Sequence, residues 1–301
     1  MREKRFLYDH GLPFSTKLAE NMDDLVERVM NKNKAGMIII DGGVGEGKTT
    51  LGVHLGDYAQ GSYRNVGGKY VQDKSKFVTF DNQLAMGGEI FVGKVRMCFE
   101  KNLHVVIYDE GGDFNKRGSL TGFNMMLNRT FETYRAFKVL VIICLPSFHV
   151  LDHDLLLKNI PRLLLHLHSR NNNSGEFQGY SLMKMFYLAD KMRKIVVKSF
   201  AYDMEDCNFR GHFLDLEPER MNELSDYSIR GKLDILKKAE VNFQGLVTKL
   251  DVSKKFNRSI GWVGYRFSIA RIKPVKYINR IAYYSDECLN ILSEPVKKGR
   301  G

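Results

Sequence analysis

Four short apolar runs punctuate the first part of the chain, at residues 37–40, 103–108, 139–144 and 163–167. Each is rich in Val, Ile or Leu and lacks polar alternation, as in strands buried on both faces. Between the runs the period changes. Leu18, Met22, Leu25 and Val29 recur at helical spacing, so residues 16–33 predict an amphipathic helix packed on a core. Residues 50–58 also read as helix, and the Gly- and Lys-rich residues 61–76 as a surface loop. Residues 77–80 read as a short strand stopped by Asp81 and Asn82. Leu145-Pro146-Ser147 closes the third run, because proline cannot continue a central ladder. Residues 177–189 and 194–200 read as an edge hairpin around 190–193. Strands alternating with helices predict an α/β fold with a mostly parallel central sheet flanked by helices.

Beyond residue 202 the pattern shifts. Residues 203–240 are charged and mostly helical, with Pro218 near a helix start, and read as a connector. After it, Asp251 caps a short helix to residue 256, Asn257-Arg258 makes a turn, and Ser259 caps a second helix from Ile260. Ile260, Val263 and Phe267 then face inward, while Trp262, Tyr265 and Arg266 face outward. Residues 273–284 alternate and carry bases, a β-hairpin with Asn279-Arg280 near its tip. Ser285-Asp286 caps a last helix through Leu292. The expected domains are an N-terminal helix (1–35), an α/β domain (36–202), the connector (203–240) and a small helical and stranded module (241–301).

Composition narrows the class. The 301 residues are 44% hydrophobic and 27% charged, ordinary for a soluble globular protein. No run approaches the roughly 18–20 apolar residues of a bilayer span, and Met1-Arg2-Glu3-Lys4 precedes no apolar signal core. Cys98, Cys144, Cys207 and Cys288 form no C-x-x-C pair, so neither a zinc cluster nor a disulfide framework is indicated, and a reducing, cytoplasmic location is expected. The net charge is +11, and residues 226–301 hold 16 Lys/Arg against 7 Asp/Glu, a difference of +9. A basic excess concentrated at one end is either a solvated surface or a footprint for a polyanion.

The candidate chemistry lies at the first and second runs. Gly42-Gly43-Val44-Gly45-Glu46-Gly47-Lys48-Thr49-Thr50 follows a strand and opens a helix, which is the G-x-x-x-x-G-K-[ST] spacing of a phosphate-binding loop. Its glycines let backbone N–H groups turn inward around phosphates, and the helix N-terminus favours the anion. Lys48 then reaches the β- and γ-phosphates of ATP, and Thr49 holds Mg2+. The second run ends in Asp109-Glu110 before two glycines. Asp109 is the second Mg2+ residue, and Glu110 the base that polarises the attacking water.

These motifs resemble the additional-strand, catalytic-glutamate P-loop ATPases over residues 36–168, and within them the FtsK–HerA-like and Zot-like group of mobile elements and viruses. The resemblance implies that strand 139–144 lies between the P-loop strand and the Asp109 strand. It implies a γ-phosphate sensor at that strand's end, for which Ser147 is the candidate. The expected Thr-Gln of DNA pumps is replaced here by Leu145-Pro146-Ser147. It also implies an arginine reaching a neighbouring subunit in a homo-oligomer such as a ring. Arg135 and Arg129 are candidates (Arg117 lies nearby), although either alone also reads as a surface residue. The C-terminal module is similar to the winged helix-turn-helix of MerR-like and excisionase-like domains. By that resemblance Arg258, Ser259, Trp262, Tyr265 and Arg266 approach duplex DNA bases, and Lys276 and Arg280 its phosphates; the alternative is a protein-contact module. The function implied is an ATP-driven DNA translocating, packaging or transfer motor. An ATP-controlled DNA-bound switch, and a Zot-like assembly ATPase that does not bind DNA, are the alternatives.

Overall fold

Three consecutive isoleucines give Met37–Gly42 its extended backbone, since β-branched side chains pack well on a pleated surface. The computed structural model describes residues 6–109, 138–151, 153–171, 174–197, 199–243, 246–278 and 281–293. The chain divides into two compact units, Met1–Arg230 and Gly231–Gly301.

In the first unit, helix α1 (Thr16–Met30) precedes β1 (Met37–Gly42) and α2 (Lys48–Ala59), followed by β2 (Tyr63–Val66), β3 (Lys69–Gln72), α3 (Phe80–Gln83), β4 (Leu84–Ala85), α4 (Gly88–Glu100) and β5 (Val105–Asp109). Then come β6 (Leu140–Leu145), α5 (His153–Leu157), β7 (Pro161–Asn171), β8 (Ser174–Ser181), α6 (Leu182–Lys194), α7 (Phe200–Asp203), β9 (Phe209–Leu214) and α8 (Pro218–Phe243), whose residues from Gly231 on belong to the second unit. The central sheet runs β4-β5-β6-β1-β7-β8-β9. Neighbours from β4 to β7 pair in parallel, and β8 and β9 add antiparallel at one edge. β6 therefore sits between β1 and β5, with Asp41 opposite Leu145 on one side and Asp109 opposite Cys144 on the other.

Alternate residues of β1 feed two cores. Ile38 and Ile40 join α1 and α2 on one face, while Met37 and Ile39 join residues of α4 and α6 on the other. α2 lies tight on the sheet: a Cβ on Gly52 would come within 3.3 Å of the Cys144 sulfur, and one on Gly56 within 2.9 Å of Ile107. At the outer edge, Ser15 N–H donates to His212 O at 3.1 Å, Leu214 N–H donates to Pro13 O at 2.8 Å, and Phe14 bridges Phe213.

Four local expectations are corrected. Residues 61–76 are not a plain loop: Gly67 and Gly68, at φ +60° and +87°, turn an antiparallel pair of strands, β2 and β3. Glycines at both turn centres permit the tight hairpin that their abundance in the sequence disguised. Residues 77–80 are not a strand, since Phe80 opens α3 and the ladder forms at Leu84–Ala85 instead. The hairpin expected at 177–200 is a strand followed by a helix, because Met185, Leu188 and Met192 bury at helical spacing. The strand that pairs with β8 is β9, inside the stretch expected to be helical connector. There the rings of Phe213, Phe209 and Phe177 lie over Gly175, Gly179 and Gly211, each directly opposite on the neighbouring strand.

The second unit holds β10 (Leu246–Thr248), α9 (Lys249–Phe256), α10 (Ile260–Ile269), β11 (Lys276–Ile278), β12 (Ile281–Ser285) and α11 (Cys288–Ser293). Its antiparallel sheet is ordered β10-β12-β11, around a core of Val252, Val263, Phe267, Tyr284, Cys288 and Leu292. Asp251 is not the N-cap of α9. Thr248 is, and Asp251 completes a capping box with it. Ser259 does cap α10, accepting from Trp262 N–H. Ile260, expected inward, is exposed. Among the described residues no helix is long and apolar enough to cross a membrane.

Candidate active site

The loop between β1 and α2 is shaped by its glycines. Gly42, Gly45 and Gly47 adopt φ of +148°, +85° and +87°, conformations that side chains disfavour. At Gly42 space is also short, because a Cβ there would meet the Leu167 carbonyl oxygen at 2.7 Å. Gly47 caps α2 with a left-handed conformation. Val44 stands fully exposed at the loop's crest, and Thr50 is buried behind it.

The loop's polar groups answer one another. Lys48 Nζ donates to the carbonyls of Gly42 and Gly43 at 2.7 and 2.6 Å. The Glu46 carboxylate accepts from Gly43 N–H at 2.6 Å. Across the sheet's carboxyl edge, the Thr49 hydroxyl donates to Asp109 Oδ2 at 2.9 Å, joining residues 60 positions apart. The field of these groups reaches the core: the Cys144 thiol is pushed well above its ordinary range by burial and the Asp109 carboxylate, with Lys48 opposing. Cys144 is a core thiol, 1% exposed.

The donor set fits the groups the sequence implies. A hydroxyl and a carboxylate oxygen suit a hard cation such as Mg2+, which keeps several waters and takes one or two protein oxygens. No group of three or more His, Cys, Asp or Glu side chains that could hold a metal occurs among the described residues. Mg2+ beside a nucleotide does not need such a cluster. The loop glycines and the N-terminus of α2 suit phosphates, although Glu46 occupies the Gly43 N–H here.

Other expected residues fare differently. Ser147 follows the end of β6, and its hydroxyl shares a 2.6 Å hydrogen bond with His149 Nδ1. Glu110, Arg117, Arg129 and Arg135 lie outside the described residues. In the second unit, Tyr265 is exposed, and Trp262 is half-buried beside Phe256 with ring centroids 6.2 Å apart. The guanidiniums of Arg258 and Arg266 stand 6.0 and 5.5 Å from the Trp262 ring centroid. Arg266 also donates to Leu292 O at 3.1 Å, which ties it to the end of α11 and removes it from a freely outward face. Lys276 belongs to β11, and Arg280 lies outside the described residues.

The sequence reading missed a buried polar cluster at the foot of the loop. Asp41, 1% exposed, accepts from Phe148 N–H at 2.7 Å and from the Tyr202 hydroxyl, and pairs with His166 Nδ1 at 2.9 Å. His166, on β7, finds its partner there. The available signal was a carboxylate ending an all-apolar strand.

The fold resembles that of P-loop NTPases. No protein-family model and no curated protein matches the chain. Among solved structures, the N-terminal domain of zonular occludens toxin from Neisseria meningitidis is similar over 57% of this chain and 100% of its own, at 13% identity and a TM-score of 0.28. So slight a likeness carries no weight beside the strand order and the loop geometry described above.

Proposed function

We propose that this chain binds ATP with Mg2+, hydrolyses it, and uses the cycle to handle duplex DNA. The observation that carries the reading is the Thr49–Asp109 hydrogen bond at 2.9 Å, at the mouth of a phosphate-binding loop. It brings the two expected Mg2+ residues together across strand β6. In this reading Lys48 leaves the loop carbonyls for phosphate oxygens, and the N–H groups from Val44 to Thr50 surround them. Thr49 and Asp109 would hold Mg2+, which would supply positive charge against the phosphates. Glu110 takes up the proton of the attacking water, Ser147 faces the γ-phosphate, and Arg129 or Arg135 completes the site of a neighbouring copy.

The DNA half of the reading rests on the +9 excess of residues 226–301 and on the order β10-α9-α10-β11-β12. That order, with sheet order β10-β12-β11, supports reading this unit as a winged helix. In this reading Arg258, Ser259, Trp262 and Tyr265 at α10 meet the major groove, and Lys276 and Arg280 the phosphates.

Calorimetry with Mg2+ and ATP, followed by turnover with and without duplex DNA, tests both halves. Binding, with turnover accelerated by DNA, supports a motor. Slow turnover with tight DNA binding favours a DNA-bound switch built from the same residues. Turnover without any DNA binding leaves the assembly-ATPase alternative. No nucleotide uptake sinks the whole reading.

A further inference from the structure

Positions 37 and 39 of β1 feed a dry core, and position 41 is the next on that face. Stability alone would place an apolar residue there. The chain instead buries a carboxylate, which carries a desolvation penalty of several kcal/mol unless hydrogen-bond donors offset it. Three donors answer it, and each comes from a different element. Phe148 N–H belongs to the turn after β6, the Tyr202 hydroxyl to α7, and His166 Nδ1 to β7. The His166 and Tyr202 rings stack on each other, with centroids 3.5 Å apart and planes 9° apart, so both donors are held in place. Burial and the Asp41 carboxylate push the Tyr202 hydroxyl well above its ordinary range, which keeps it a donor.

The position of this cluster matters more than its strength. Asp41 immediately precedes Gly42, the first glycine of the loop. Phe148 immediately follows Ser147, the residue that faces the γ-phosphate in the function proposed above. One carboxylate therefore connects the foot of the phosphate loop to the tip of the strand inserted between the two halves of the site. We infer that Asp41 is a positioning residue for ATP hydrolysis, fixing the Ser147 tip relative to the phosphate loop through the Phe148 amide, with His166 and Tyr202 orienting the carboxylate.

This inference rests on the nucleotide reading, and its test keeps the two apart. Asp41→Asn preserves size and removes the charge; Tyr202→Phe removes one donor and leaves Asp41 itself in place. For wild type and both variants, ATP affinity is measured by calorimetry, turnover at saturating Mg2+ and ATP, and amide exchange of peptides covering residues 146–151 and 37–42. Displacing a catalytic group by about an ångström costs on the order of 100-fold in rate. Asp41→Asn should therefore lose roughly 10- to 100-fold in kcat while ATP affinity stays within about threefold, and Tyr202→Phe should lose less. Exchange at 146–151 should quicken in both variants, with 37–42 unchanged. Wild-type kcat and exchange in a folded Asp41→Asn overturn the inference. If that variant does not fold, wild-type values in Tyr202→Phe overturn it. A wild type that binds ATP without turnover overturns the catalytic role, and one that takes up no ATP removes the nucleotide reading beneath it. Both results appear in the wild type itself, before any variant is compared.

Discussion

The two units use polar side chains in opposite ways. In the α/β unit the candidate chemistry is enforced by backbone: three loop glycines at positive φ, a helix start, and a strand order that sets Thr49 against Asp109. In the C-terminal unit the candidate chemistry is carried by side chains on ordinary helices and strands, such as the exposed Tyr265 on α10. The first kind of site tolerates almost no substitution, because geometry and function share the same atoms. In the DNA-binding role proposed for it, the second would be graded, since phosphate contacts contribute separately and are screened by salt.

That contrast can be broken most directly at Lys48. Lys48→Ala should lower ATP turnover by about 100- to 1000-fold, as removal of a transition-state donor does, with duplex DNA affinity unchanged. A phosphate-release assay and a gel shift on the same preparation check it. Intact turnover in the variant would falsify the nucleotide site and leave only the basic module.

Core truncation sharpens the division into units. Phe267 is 3% exposed and stacks edge-on against Tyr284 at 4.5 Å. Phe267→Ala should destabilise the second unit by about 3–5 kcal/mol, seen in its thermal transition, while ATP affinity holds.

A pH test probes the backbone-enforced unit. On α2, burial lowers the buried His54 to about 4 although its ring meets Leu214 O at 2.9 Å, and burial raises Asp57 to about 7 despite Arg220 at 3.4 Å. His54 contributes stability that is present above its unfolded value of 6.5 and lost as pH falls through 4. Asp57 contributes stability that is present below its unfolded value of 3.8 and lost as pH rises through 7. Between pH 7 and 4 the two oppose each other. Relative to wild type, His54→Gln should gain about 3 kcal/mol on acidification across that window, and Asp57→Asn should lose a similar amount. Denaturant titrations at the two pH limits measure both. Parallel slopes in all three proteins would contradict the assignment.

The smallest effect belongs to the graded site. Reversing charge at Lys276 and Arg280 should weaken binding to every duplex sequence by about tenfold and flatten the salt dependence by roughly two units of slope. Arg258→Ala should shift sequence preference instead. Arg266, tied to Leu292 O, should report on stability and not on preference.

How much was legible in the sequence follows from the same contrast. The strands, the phosphate loop and the Asp109 strand were readable because unbroken apolar runs and glycine spacing are local signals. The placement of β6 between β1 and β5 was available only through the family resemblance, since no local pattern encodes strand order. The edge was misread where cross-strand partners decide conformation. Residues 209–214 become a strand because Phe209 and Phe213 cover glycines on β8. Residues 182–194 become a helix because Met185, Leu188 and Met192 need one face. Asp41 escaped notice because its three partners lie 107, 125 and 161 positions away.

The rim of the sheet has a consequence for self-association. Past β9, the amide of Leu214 and the carbonyl of His212 are already committed to the segment around Phe14. At the opposite margin, β4 is only two residues long. Among the described residues, both margins of the seven-stranded sheet therefore leave little open backbone for another strand to pair with, which guards that sheet against edge-to-edge stacking.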